Sequence, residues 1–125
     1  MTTQRLLSAA TTFDLSPTAW NIRQVLVAAA RARAGLLRYR DVIVAIDLPE
    51  RTPGWWLRDP LQEITRVELA AGRPPLTAIV VGKKSGVPGA GFWEFWENVT
   101  GGIPDRDVFL VNAQASVFTF WGGTT

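Results

Sequence analysis

The sequence predicts an α+β fold, mostly helical, with a small β-hairpin or wing. Three observations carry this. Apolar residues recur at helical spacing in several stretches that open on capping residues and close on glycine. One run, Leu76 to Val81, is apolar on both alternating faces except at Thr77, the pattern of a strand covered on both sides. A loop with four glycines, Gly82, Gly86, Gly89 and Gly91, follows it directly.

Taken in order, residues 1–12 lack periodicity and read as a flexible N-terminal arm, and residues 13–121 read as a single globular domain. Ser16-Pro17 opens a first helix: the serine can accept orphan N–H groups, and proline fits the first helical position. Ile22, Val25, Leu26, Ala29 and Arg33 share a stripe of that helix, and Gly35 is the expected stop. Residues 39–47 support two readings. The run Val42 to Ile46 has the β-branched content of a buried strand, whereas Tyr39, Val42, Ile43 and Ile46 follow helical spacing; we take the helix. Asp59-Pro60-Leu61-Gln62 is a helix start, with Asp59 as cap and Gln62 able to bond back to it. That helix should run from Pro60 to about Ala71 and stop at Gly72, with Leu57, Leu61, Ile64 and Glu68 on one face and Glu63 paired to Arg66.

The strand Leu76 to Val81 follows, and Pro88 excludes a long partner strand just after the turn. Phe92, Trp93, Phe95, Trp96 and Val99 then fit a helix ended by Gly101-Gly102. Residues 105–121 fit either helix or strand. A cap at Asp105 or Asp107, the Gly122-Gly123 stop and the length of the segment favour a helix.

Composition limits the chemistry. The 125 residues suffice for one core without disulfide or metal, and 47% of them are hydrophobic. Absence of cysteine and histidine removes thiol nucleophiles, Cys/His zinc sites and imidazole acid-base catalysis. No apolar run suggests a membrane span or a signal peptide, so the expectation is a soluble cytoplasmic protein that makes no membrane contact. The net charge of +2 hides an asymmetry: residues 1–40 carry Arg5, Arg23, Arg31, Arg33, Arg38 and Arg40 against Asp14 alone. A basic half of this kind suits nucleic acid or an acidic partner, the alternative being a solvated helix face.

Three constellations are candidates for function. The glycines of 82–91, with Lys83, Lys84 and Ser85, could present N–H groups and ammonium charge to a phosphate. Neither the phosphate-loop pattern nor a dinucleotide fingerprint is present, so a tight structural turn is the competing reading and no cofactor is expected. The acids Asp47, Glu50, Asp59 and Glu63 are the candidates for Mg²⁺ or paired-carboxylate chemistry, although the strand lacks the acid and lysine of a nuclease and no metal is expected. The aromatics, including Trp55, Trp56, Trp93 and Trp96, are too numerous for one small core, which points to an interface or a base-stacking platform, or to cover for a neighbouring helix.

From Gly72 to Phe92 the chain resembles a family of small, largely uncharacterised bacterial and phage proteins. They share Gly-Arg-Pro-x-Leu-[Ser/Thr]-Ala-[Ile/Leu]-Val-Val-x-Lys, a turn, then Pro-Gly-x-Gly-Phe. Here these read Gly72-Arg73-Pro74-Pro75-Leu76-Thr77-Ala78-Ile79-Val80-Val81-Gly82-Lys83 and Pro88-Gly89-Ala90-Gly91-Phe92. A weaker resemblance is to the winged-helix domain of alkyltransferase-like proteins, with Tyr39 to Ile46, Pro60 to Ala71 and Leu76 to Gly91 in matching order. The Pro-Cys-His-Arg active site of alkyltransferases is absent, so this resemblance implies a winged-helix-like layout and no repair chemistry.

The leading expectation is therefore a non-enzymatic, DNA-binding module. Arg58, Arg66 and Arg73 would act from the helix at Pro60 to Ala71, and Lys83 and Lys84 from the wing. Arg31, Arg33, Arg38 and Arg40 would hold backbone. The alternative is a phage or mobile-element factor that binds a bacterial protein, or a second copy of itself, through Trp55, Trp56, Trp93 and Trp96. A Mg²⁺-dependent enzyme using the carboxylates is the third.

Overall fold

A computed structural model describes residues 15–122; the expected arm at 1–12 lies outside the described residues. Helix α1 (Pro17–Arg31) starts as its sequence demands. Ser16 is extended, and its Oγ accepts the Ala19 N–H at 3.2 Å. The chain stops being helical at Arg31, before Gly35. Arg33 takes the left-handed conformation at φ 50°, and Ala34 N–H reaches Ala29 O at 3.0 Å, so an arginine fills the place usually given to glycine.

After β1 (Leu37–Arg38) comes α2 (Tyr39–Ala45), so the β-branched run is helical. Val42 and Ile43 are buried while Val44 faces outward, which is a helical burial pattern and not an alternating one. Asp41 accepts the Arg38 N–H at 2.8 Å and so closes the start of α2.

A 3₁₀ turn (Gly54–Leu57) runs straight into α3 (Arg58–Ala70). The expected cap at Asp59 is not used. Leu57, at the cap position, is already helical, so Asp59 falls inside the first turn, and the Gln62 amide donates to Gly91 O at 2.7 Å instead of reaching back. The expected Glu63–Arg66 pair is likewise replaced. Glu63 accepts the Ser16 N–H and hydroxyl at 2.9 and 3.1 Å, and the Arg66 guanidinium lies 5.9 Å from the Phe95 ring centroid. Gly72, at φ 76°, ends α3 as its sequence predicts, with Arg73 N–H on Glu68 O.

The expected strand Leu76 to Val81 is mostly something else. Leu76–Ile79 forms a second 3₁₀ turn, and only Val80–Val81 is strand, β2. All six residues are buried, so their amides need partners. β1 is two residues long because α2 begins at Tyr39, and it cannot supply a six-residue ladder; the 3₁₀ turn satisfies amides internally, as in Ala78 N–H to Pro75 O at 3.0 Å. The sheet is parallel, with Leu37 opposite Val80 and Arg38 opposite Val81. It is therefore not a hairpin. The loop after β2 closes on itself through Gly82 N–H to Val87 O and Gly86 N–H to Gly82 O.

Helix α4 (Ala90–Thr100) ends on left-handed Gly101, and α5 (Arg106–Gly122) starts where Asp105 accepts the Val108 N–H at 3.2 Å. The two cores divide the fold. One gathers α1, α2, α3 and the second 3₁₀ turn around Ile22, Leu26, Ile64 and Ile79. The other joins α4 to α5 through Phe92, Trp93, Phe95, Trp96, Leu110 and Ala113. Helix α3 packs against α1, α4 and both 3₁₀ turns. Its buried Glu68 receives Arg23 from α1 and Arg73 from the loop, at 3.0 and 2.8 Å. Among the described residues no helix is long and apolar enough to cross a membrane.

Candidate functional site

Two features stand out, a cavity and a basic edge, and both grow from the junction of β1 with α2. Because β1 and β2 pair in parallel, Arg38 lies opposite Val81, and the loop bearing Lys83 and Lys84 leaves β2 beside it. Arg40 follows two residues along. All four side chains are exposed, and among the described residues none of them is in an ion pair. Sequence segments 43 residues apart, as in Leu37 and Val80, thus contribute to one edge.

The cavity, of about 490 Å³, opens beside this edge, between Tyr39, the first 3₁₀ turn, α3, and the start of α4. Its body is apolar, formed by Leu61, Val80 and Phe92, with Trp55 at the rim. Polar groups line it as well. Thr65 Oγ1 donates to Leu61 O at 3.0 Å and is paired with the Thr77 hydroxyl. Tyr39 Oη accepts the Gly89 N–H at 2.6 Å, and burial pushes the phenol above its ordinary range, the Gly89 amide offsetting part of that rise. Two glycines at the start of α4 lie close against side chains: a Cβ at Gly89 would lie 2.7 Å from Tyr39 Oη, and one at Gly91 2.8 Å from Arg58 Cγ. Arg58 pairs with Glu94 across the mouth, so charge there is neutralised.

The other expected site residues are dispersed. Arg73 is committed to Glu68, which holds its guanidinium above the usual range mainly through their hydrogen bonds. Arg31 and Arg66 lie over Trp121 and Phe95. Arg33 is in the turn after α1, with its Nε where a Cβ on Gly122 would fall. The tryptophans divide cleanly. Trp55 and Trp56 are 75% and 40% exposed, whereas Trp93 and Trp96, 7% and 9% exposed, belong to the α4–α5 core. The reason is that Phe109 of α5 receives Phe92, Trp93 and Trp96 in tilted and edge-on contacts, a second core that accommodates the aromatics.

The glycine loop does not offer the N–H groups of Gly82, Gly86 or Gly89 to a ligand, since all three are spent on protein oxygens. Nor do the acids converge. Glu63 caps α1, Asp47 sits left-handed at the end of α2, and no group of three or more possible metal ligands occurs among the described residues. Sequence reasoning did not select Tyr39, Gln62, Thr65 or Thr77 for the site. Thr77, the one polar residue in a buried apolar run, was the available signal. Compared with known proteins, the chain matches no family model, no curated protein and no solved structure.

Proposed function

We propose that this chain is a non-enzymatic nucleic-acid-binding module that holds the phosphate backbone along Arg38, Arg40, Lys83 and Lys84. The observation that carries this reading is the parallel register of β1 on β2, which brings two separate basic segments to one exposed edge. Helix α3 is packed by neighbours on several sides, so the contact belongs on the edge and not on a helix laid in a groove. Arg58, Arg66 and Arg73 have partners within the fold and are left out of the contact. Four phosphate contacts would give log K a slope against log salt of roughly −3 to −4 on duplex DNA. Fluorescence anisotropy of a labelled duplex across a salt series tests this; binding that does not respond to salt counts against it.

A second reading is favoured by the exposure of Trp55 and Trp56 together, since exposed tryptophans of this kind anchor protein partners. Under it, Trp55→Ala abolishes capture of a protein partner while Lys83→Ala with Lys84→Ala leaves capture intact.

A further inference from the structure

We propose that the cavity between Tyr39, α3 and the start of α4 binds an uncharged aromatic ring carrying a hydroxyl group, a ligand of the phenol class. Size and lining set the body of the ligand. About 490 Å³ walled by Leu61, Val80 and Phe92 has ample room for an aromatic ring, and Trp55 at the rim offers a face or edge to it.

Hydrogen-bond accounting sets its polar group. Thr65 gives its hydrogen to Leu61 O, so the hydrogen shared between the two threonine hydroxyls comes from Thr77, and Thr77 Oγ1 keeps lone pairs to accept with. Tyr39 Oη takes a hydrogen from Gly89 and keeps its own to give. One donor and one acceptor therefore line the same cavity, and a hydroxyl, which both gives and takes, can pair with either. A purely hydrocarbon ligand would strip water from both without replacing it. The mouth adds no net charge to favour an ion, because Arg58 and Glu94 neutralise each other. The Tyr39 phenol is protonated at neutral pH, and burial raises its pKa further.

The test is calorimetric titration of the intact chain with p-cresol, toluene and benzoate. p-Cresol should bind, toluene about tenfold more weakly, and benzoate not measurably. Absent binding of p-cresol, or equal binding of all three, overturns the proposal. Two variants locate the ligand. Thr77→Val should weaken p-cresol about tenfold, and Ala90→Trp, at an exposed position of the cavity wall, should abolish its binding. Wild-type affinity in Ala90→Trp overturns the assignment, and because Ala90 is exposed the variant does not depend on repacking a core.

Phenol rings occur free and as tyrosine side chains. Tighter binding of capped Ala-Tyr-Ala than of p-cresol marks a peptide source, and weaker or equal binding marks a free phenol; both outcomes support the ring assignment. The proposal is independent of the basic edge. p-Cresol affinity should not change with salt or in Lys83→Glu/Lys84→Glu, and a change in either places the ligand outside the cavity and overturns it.

Discussion

The Gly89 amide donates to the Tyr39 hydroxyl at 2.6 Å, joining the first residue of α2 to the residue before α4 across fifty positions of sequence. This contact fixes the basic edge relative to the cavity, since Tyr39 stands between Arg38 and Arg40 and Gly89 closes the loop that carries Lys83 and Lys84. Tyr39→Phe removes the acceptor and leaves the Gly89 N–H without it. We expect a loss of about 1–2 kcal/mol in urea unfolding.

The same residue gives a pH signature. Burial raises the Tyr39 pKa above its ordinary value of 10.0 in the folded state. A group raised on folding contributes stability that is complete below its unfolded value and is lost as pH climbs through the folded one. Stability should therefore be unaffected by Tyr39 up to about pH 10 and decline above it. This is the chain's one tyrosine, so the ultraviolet tyrosinate difference spectrum reports it directly. A midpoint at or below the ordinary value contradicts the burial.

Glu68 is fully buried and accepts from both Arg23 and Arg73. Glu68→Gln leaves two guanidinium groups facing a neutral amide. The expected cost is about 2–4 kcal/mol, read as a lower urea midpoint with an unchanged slope.

Trp93 and Trp55 should respond in opposite ways. Trp93→Ala empties part of the α4–α5 core and should cost about 3–5 kcal/mol. Trp55→Ala, at a site 75% exposed, should stay within about 0.5 kcal/mol of wild type. Thermal unfolding of the two variants side by side checks the division.

Local chemistry was the part legible in sequence. Ser16-Pro17, Gly72, Gly101 and Asp105 all work at helix ends as their residue types dictate. Leu76–Val81 has the pattern of a strand because burial on both faces is a property that a 3₁₀ turn shares. What decides between them is the length of the neighbouring strand, and Leu37–Arg38 is too short. Asp59 was displaced from its cap because the chain arrives at α3 already turning, through Gly54–Leu57. The basic edge was half legible: its residues were named, but only pairing between distant segments shows that Arg38 and Arg40 stand with Lys83 and Lys84 while Arg58 and Arg73 do not. The cavity was not legible, because its walls come from six separate elements.

The basic edge is tested most directly by the salt dependence of duplex binding in two double variants. Lys83→Glu/Lys84→Glu should weaken binding steeply and flatten the slope of log K against log salt by roughly 2 units. Arg31→Glu/Arg66→Glu, both exposed and outside the edge, should leave the slope of the folded protein unchanged. Equal slopes for wild type and Lys83→Glu/Lys84→Glu would contradict the account.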